Sequence, residues 1–290
     1  MIAGRRSALA RLYTSAALHP VPAFLAGLLF PDKGVSPNAE DIFTLYVLIF
    51  AMALVVFIGV QGSLIWFLLK FKARRGRVAA QIHGNTRLEI GWTLGAAIVL
   101  VFITVVTFIK LPGIKNPPAS DIDASGNRVA ANAFFASTDQ KPPPKGARLN
   151  ITVDGQQYVW RFQYPPQGAK TVFAYEEMVV PLGMTVILRI TSDDVAHSWW
   201  IPALGGKMDA IPGYVNKTWF KATKVGVYRG QCAELCGRNH ANMTARVRVV
   251  PFDEYQAWFD REAADIKIAR DEGAKQRAEL NKQQSTTQTP

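Results

Sequence analysis

The sequence predicts a two-helix membrane hairpin followed by an all-β domain. Residues 43–69 and 90–109 contain no charged side chain, and roughly 20 apolar residues suffice for a helix to cross a bilayer. From residue 148 onward, short runs rich in β-branched and aromatic residues alternate with Gly and Pro turns. That pattern is typical of a β sandwich or barrel.

The N-terminal segment, residues 1–42, precedes the first predicted span. Three arginines stand before a short apolar run over residues 21–30, as they do in a secretory signal peptide. Pro20 and Pro22 interrupt the pattern, and no convincing cleavage site follows. A segment that lies at the membrane interface is therefore a second interpretation.

The predicted hairpin occupies residues 43–110, and its connecting loop sets the orientation. Six Lys and Arg residues lie between positions 70 and 87, and short loops rich in Lys and Arg stay in the cytoplasm. The sequence therefore predicts a multi-pass protein of the plasma membrane. Its C-terminal part is expected on the periplasmic, extracytoplasmic side.

Three further segments follow the hairpin. Residues 111–147 are rich in Pro, Gly, Ala and Ser, which predicts a linker. Residues 148–260 form the predicted β domain, with strand-like runs at 149–154, 158–164, 185–191 and 244–250. Residues 261–290 form a charged tail, helix-prone to 282 and then of disordered composition.

The composition narrows the function classes. A formal net charge of +11 is compatible with binding to nucleic acid, with binding to anionic lipid, or with the Lys- and Arg-rich cytoplasmic loops of a membrane protein. No zinc-finger spacing, helix-turn-helix signal or aromatic–basic RNA motif occurs in the sequence, which argues against nucleic acid. Two cysteines in 290 residues are too few for a disulfide scaffold.

Those two cysteines stand in a cluster of soft metal donors. Cys232 and Cys236 are followed at short range by His240 and Met243, and His197 lies in a separate run. A disulfide suits an oxidising compartment, and a zinc site would use His240. A thioether is a poor zinc ligand, whereas mononuclear copper sites use two His, one Cys and an axial Met. The donor set therefore favours copper.

The second cysteine distinguishes this set from a mononuclear site. Because Cys232 adds a thiolate to the single-copper donors, both sulfurs can bridge two copper ions. A closed site of this kind suits one-electron transfer and leaves no open position for a substrate. His19 and His83 lie outside the predicted β domain, and we interpret both as non-ligands.

The sequence resembles subunit II of the cytochrome c oxidases, the haem–copper terminal oxidases of respiration. The likeness covers most of residues 40–260, and its motifs are Asp194-Val-Ala-His197-Ser-Trp-Trp, Lys207-Met-Asp-Ala-Ile-Pro-Gly213 and residues 230–243. The family fold is a two-helix hairpin followed by a cupredoxin domain, which is a Greek-key β sandwich. The resemblance implies the same fold here.

The resemblance also implies roles for individual residues. Cys232 and Cys236 would bridge the two coppers of a CuA centre, His197 and His240 would each bind one copper, and Met243 would be a weak axial ligand. The carbonyl of Glu234 would complete the donor set, and its carboxylate would reach a magnesium or manganese ion shared with subunit I. Glu89 would stand at the mouth of a proton pathway into subunit I.

An aromatic stretch over residues 155–164 matches the family's electron-accepting surface. Tyr158 stands where the family usually has an exposed Trp, and Trp160 keeps the second Trp position. The carboxylates near this stretch are few among many Lys and Arg side chains, and they are Asp193, Asp194, Glu176 and Glu177. A basic cytochrome c is steered to its docking surface by negative charge, which is scarce here. The electron donor is therefore predicted to be cytochrome c or another small electron carrier.

The resulting prediction is an electron-transfer subunit of a respiratory cytochrome c oxidase. It takes single electrons at CuA and passes them to haem in subunit I, where oxygen is reduced to water and protons are translocated. The partners are subunit I, other oxidase subunits, the electron carrier and membrane lipid. The alternatives are a CuA-bearing subunit of a nitric oxide reductase and, from another class, a copper-delivery protein.

Overall fold

The computed structural model describes residues 33–72, 76, 78, 81, 83–127 and 147–287. The predicted N-terminal segment up to residue 32, much of the predicted linker and residues 288–290 lie outside this part of the chain. The domain boundaries given above stay predictions. The fold class is confirmed, and the following elements make up the described part.

Two long helices come first, α1 (Pro37–Lys70) and α2 (Thr86–Lys115). Both are long and apolar enough to cross a membrane, and their apolar middles are not buried by other described residues. Asn85 caps α2 by accepting from the Leu88 N–H at 3.2 Å. The Glu89 carboxylate in turn accepts from the Asn85 N–H at 3.3 Å, so the start of α2 is fixed by a reciprocal cap.

The β domain contains ten strands among the described residues. They are β1 (Arg148–Gln156), β2 (Val159–Gln163), β3 (Phe173–Tyr175), β4 (Glu177–Pro181), β5 (Thr185–Ser192), β6 (His197–Trp200), β7 (Met208–Ala210), β8 (Asn216–Lys221), β9 (Gly226–Cys232) and β10 (Thr244–Val250). They form two five-stranded sheets, ordered β3-β2-β1-β5-β8 and β4-β10-β9-β6-β7. The β1–β5 and β4–β10 pairs are parallel, and the other pairs are antiparallel.

The hydrophobic core lies between the two sheets. Alternate residues of β1 and β2 are buried, as the two-residue period of a strand requires. The largest completely buried side chains include Trp160, Phe162, Ile151, Met178 and Leu188. Full burial of side chains of this size stabilises the fold by about 1.5–3 kcal/mol each, and the same core closes over the sulfur-containing loop described below.

The ends of both long helices are fastened to the edge strand β8. The Trp219 indole N–H lies 3.0 Å from the carbonyls of Ile114 and Lys115 at the end of α2. The Asn38 side chain at the start of α1 donates to the Trp219 carbonyl at 2.9 Å. Lys110 and Asp41 pair across the two helices at 2.8 Å. The sheet edge and the helix ends therefore form one connected corner.

A third helix, α3 (Phe252–Thr287), follows the last strand. Its first turns pack on the domain, where Trp258 lies 5.1 Å from the Tyr164 ring between centroids and Phe259 is completely buried. The helix continues to Thr287, so residues 283–287, which were predicted to be disordered, are helical here. α3 also begins inside the predicted β domain, because Phe252 follows directly on the final strand and Pro251.

Candidate metal centre

Two strands and one loop bring the predicted donors together. His197 opens β6 and Cys232 closes β9, and these strands pair so that Trp199 stands opposite Cys232. Cys236 and Met243 belong to the loop that leads from β9 to β10. The Cys232 N–H donates to the Met243 carbonyl at 2.9 Å, which closes this loop and returns the thioether to the cysteines.

The first half of the donor set surrounds Cys232. Its sulfur lies 3.8 Å from His197 Nδ1 and 3.2 Å from the Glu234 carbonyl oxygen. Cys232 and His197 are buried, with exposed fractions of 3% and 0%. An imidazole nitrogen and a carbonyl oxygen therefore converge on one sulfur.

The second half surrounds Cys236. Its sulfur lies 3.5 Å from His240 Nδ1 and 3.8 Å from the Met243 sulfur. The two cysteine sulfurs are 3.9 Å apart, far beyond the roughly 2.05 Å of a disulfide, and both cysteines are free thiols. Each thiol thus has one histidine and one weaker donor of its own.

The donor set fits metal ions by chemistry and by spacing. Two donors held tetrahedrally at roughly 2.3 Å from one ion lie about 3.7 Å apart, and the sulfur–donor distances here are 3.2–3.9 Å. Burial, followed by the neighbouring Cys232 thiol, raises the pKa of Cys236 to about 11. A thiol whose pKa is raised in this way binds a metal ion with release of its proton, because the charge of the cation stabilises the thiolate. Among the described residues, His197, Cys232 and Cys236 form the metal-competent cluster.

The Asp194 carboxylate contacts the ring nitrogen of His197 that does not face the Cys232 sulfur. Its Oδ1 lies 2.9 Å from His197 Nε2, which leaves Nδ1 facing the Cys232 sulfur. Desolvation raises the pKa of Asp194, but the hydrogen bonds from His197 and from the N–H groups of Gln157 and Val195 outweigh it and lower the pKa to about 2. An ionised carboxylate of this kind fixes the tautomer and the ring orientation of a metal-binding histidine.

Gln157 joins the two ligand-bearing loops. Its backbone N–H donates to Asp194 Oδ2 and its side-chain amide donates to the Cys236 carbonyl, both at 2.7 Å. Neither Gln157 nor the contact of Asp194 with His197 was predicted from the sequence. A Gln in a polar turn carries no local signal, and Gln157 is separated from Cys236 by 79 positions in the sequence.

The two predicted electron-accepting aromatics occupy different depths. Tyr158 is half-buried, and its ring lies over Gly237, where an added Cβ would approach the Tyr158 hydroxyl to 2.7 Å. Trp160 is completely buried, and its ring meets His197 edge-on at 5.9 Å between centroids. Tyr158 therefore lies nearer the protein surface than Trp160.

The two predicted glutamates lie apart from each other. The Glu234 side chain is exposed in this chain, although its carbonyl faces the Cys232 sulfur. In this chain by itself, water therefore has access to the Glu234 carboxylate. Glu89 is exposed at the start of α2, where the hydrogen bond to Asn85 gives it a structural role.

Two helices long and apolar enough to cross a membrane, a β sandwich and a His and Cys cluster compatible with copper define the class: a membrane protein with an extramembrane β domain. Two family models match the chain, the transmembrane domain of cytochrome c oxidase subunit II over residues 23–109 and the periplasmic domain of the same subunit over residues 167–250. The chain belongs to the cytochrome c oxidase subunit II family. The predicted family is therefore confirmed.

Individual relatives agree with this assignment. The chain is 33% identical to cytochrome c oxidase subunit 2 of Alkalihalophilus pseudofirmus over 80% of its own length, but it spans only 61% of that relative. It is 31% identical to the probable cytochrome c oxidase subunit 2 of Rickettsia bellii over 81% of this chain and 82% of the relative. A solved structure, the periplasmic domain of subunit II of cytochrome oxidase of Bradyrhizobium japonicum, is 38% identical over 42% of this chain and 97% of its own, with a TM-score of 0.40.

Proposed function

We propose that this chain is the electron-transfer subunit of a respiratory cytochrome c oxidase. Cys232 and Cys236 would hold a binuclear CuA centre together with His197, His240, Met243 and the Glu234 carbonyl. When bound, this centre supplies one-electron acceptance from an extracytoplasmic carrier and donation to haem in subunit I. Reduction of oxygen to water and proton translocation would occur in the partner subunits.

One observation carries this proposal, the division of the donors into two halves. The sulfurs stand 3.9 Å apart, and each has its own histidine nitrogen at 3.5–3.8 Å. A mononuclear site would need one histidine pair and one thiol. A zinc site would leave the Met243 thioether unused, although Met243 is completely buried beside Cys236.

The surrounding residues suit electron transfer without substrate chemistry. The sulfurs, His197 and Met243 are almost completely buried, so water and small substrates have little access to them. The Asp194 and Gln157 hydrogen bonds hold the ligand loops in place. A copper-delivery protein needs exposed and exchangeable donors, and this arrangement does not favour that function.

The donor surface centres on Tyr158. The nearby carboxylates are partly committed inside the domain: Asp194 binds His197 and Gln157, and Glu177 pairs with Arg246 and Arg248. Little free negative charge is then left for steering a basic protein. The carrier is a c-type cytochrome or another small redox protein that docks mainly through uncharged contacts.

The cytoplasmic side and the border with subunit I complete the proposal. The Lys- and Arg-rich loop between the two membrane helices stays inside the cell, so the β domain lies on the periplasmic side. Glu89 would stand at the mouth of a proton pathway into subunit I. The exposed Glu234 carboxylate would bind magnesium or manganese shared with that subunit.

The experiment is a metal count on the purified full chain after copper loading. Wild type should bind two coppers per chain and turn purple. His197→Gln and His240→Gln should each lower the copper content, and so should Cys232→Ser. The matched control is His83→Gln, because His83 is exposed near the start of α2 and away from the donors. One copper with a blue spectrum in wild type would overturn the binuclear site.

The alternative partner is a nitric oxide reductase complex. The donor set is the same in both cases, so metal analysis does not separate them, but the relatives named as oxidase subunits favour the oxidase. Oxygen consumption by the intact complex with a reduced carrier, and no comparable consumption of nitric oxide, is the expected result. Preferential consumption of nitric oxide would contradict the proposal.

A further inference from the structure

A second site lies at the corner where the membrane helices meet the β domain. A cavity of about 360 Å³ opens between the start of α1, the end of α2 and the outer face of β1, β5 and β8. This volume falls in the range of small-molecule sites, roughly 300–1,000 Å³. We call it the basic cavity, since five cationic side chains line it: Lys115, Arg148, Arg189, Lys207 and Lys217. The described residues that line it include no Asp or Glu.

These five cations lack partners among the described residues. Elsewhere in the domain the cations of Arg161, Lys170, Lys221, Arg246 and Arg248 pair with carboxylates. The cations of the basic cavity form no such ion pair within the part of the chain that the structure describes. The basic cavity therefore carries five positive charges that no described carboxylate neutralises.

The register of β5 and β8 makes this accumulation costly. Arg189 stands directly opposite Lys217 on the neighbouring antiparallel strand, and like charges directly opposite each other destabilise a strand pair. Arg148 extends the charge from the adjoining strand β1, which pairs with β5. An anion between these side chains would remove the repulsion, so the register points to an anionic ligand.

Apolar side chains of both long helices also line the cavity. Ile42 lies in the second turn of α1, and Ile114 is the last residue but one of α2. The hydrogen bonds of Trp219 to the end of α2, and of Asn38 to Trp219, hold this wall against the sheet. A lining that combines unpaired cations with apolar side chains of the helices matches an amphiphile with an anionic head.

We propose that the basic cavity binds the phosphate-bearing headgroup of an anionic phospholipid at the membrane surface on the side of the β domain. Arg189 and Lys217 contact the phosphate, and the acyl chains follow Ile42 and Ile114 along the hairpin. The binding fixes the angle between the helices and the domain. This inference depends on the two membrane spans and is independent of the metal centre.

The test measures lipid retention by the full chain in non-ionic detergent after removal of native lipid. Native mass spectrometry compares added phosphatidylglycerol with phosphatidylcholine of the same acyl chains, and a further sample contains inorganic phosphate alone. Phosphatidylglycerol should stay bound and raise the melting temperature, whereas phosphatidylcholine should do neither. The variant R148Q/R189Q/K217Q should bind phosphatidylglycerol about tenfold more weakly or worse.

The matched control removes the same charge from the exposed part of α3. The variant K267Q/R270Q/K275Q should retain phosphatidylglycerol as wild type does, because these side chains are exposed and do not line the cavity. A copper content equal to wild type shows that both variants are folded. Equal binding of the two lipids, or unchanged retention by R148Q/R189Q/K217Q, would overturn the proposal.

Two further outcomes separate this ligand from other occupants. Displacement of the lipid by inorganic phosphate at millimolar concentration would identify a free-anion site and overturn the lipid assignment. Retention by the isolated chain but loss from the intact oxidase complex would show that a neighbouring subunit occupies the cavity, which also overturns it. Retention of phosphatidylglycerol in both preparations supports the proposal.

Discussion

Replacing Asp194 with Asn tests whether the carboxylate behind His197 sets the copper affinity. Asp194 Oδ1 accepts from the Val195 N–H at 2.6 Å and lies 2.9 Å from His197 Nε2, and Oδ2 accepts from the Gln157 N–H at 2.7 Å. An Asn side chain has one acceptor oxygen and one NH₂ group. The NH₂ group of Asn would then replace one of the two oxygens, so either His197 Nε2 or the Gln157 N–H would lose its acceptor.

The expected loss follows from the chemistry of the contact. Hydrogen bonds to charged groups contribute about 1.5–3 kcal/mol, and removal of a carboxylate that orients a metal-binding histidine costs about 10–100-fold in metal affinity. That range corresponds to roughly 1.4–2.7 kcal/mol of binding free energy. His197 is completely buried, so water cannot replace the lost partner, and we expect the upper half of the range.

The assay is a competition titration of copper between the purified full chain and a chelator of known affinity. Asp271→Asn is the control, because Asp271 is an exposed acid on the outer part of α3 and its removal changes the net charge equally. The control should bind copper as wild type does. A copper affinity of Asp194→Asn within about twofold of wild type would refute the role assigned to this carboxylate.

Three further substitutions test the surroundings of the site. Tyr158→Leu should slow electron uptake by the intact oxidase in stopped-flow measurements without changing the copper spectrum, and an unchanged rate would move the docking surface elsewhere. Gly237→Ala should lower the free energy of unfolding by about 1–3 kcal/mol, because Gly237 has a φ of +132° and its added Cβ would meet the Tyr158 hydroxyl at 2.7 Å; denaturation matching wild type would contradict this. Burial, and then the contact with Asp193, raises the pKa of Asp154 from 3.8 to about 6, so wild type should lose stability as the pH rises between these values. Asp193→Asn should flatten that dependence, and parallel stability curves would count against it.

The metal donors could be predicted because most of them are close in sequence. Cys232, Cys236, His240 and Met243 fall within twelve residues, so one closed loop must bring them together. His197 is distant in sequence, and only the β6–β9 pairing accounts for its position beside Cys232. Residue types and spacing thus define the donors, whereas sheet topology decides their arrangement in two halves.

The helical parts were predictable in type but not in extent. The absence of charge located both membrane spans, but the helices run from Pro37 to Lys70 and from Thr86 to Lys115. Their ends depend on polar contacts with distant residues, such as the Trp219 bonds to the end of α2. The basic cavity was not predicted for the same reason, since its cations come from β1, β5, β8, the end of α2 and the segment before β7.

Hydrogen bonds within the chain connect the segments that carry the donors of the candidate centre. Gln157 connects the Asp194 carboxylate to the Cys236 carbonyl, so the segment in front of His197 and the loop that holds Cys236 are joined by one residue. Because all these bonds join atoms of the chain itself, they would hold the donors in either oxidation state of the proposed copper centre. Electron transfer is fastest when the metal ligands change position little between the two oxidation states. Hydrogen bonds that join three loops around the donors would limit such changes, and the ligand motif in the sequence does not show these bonds.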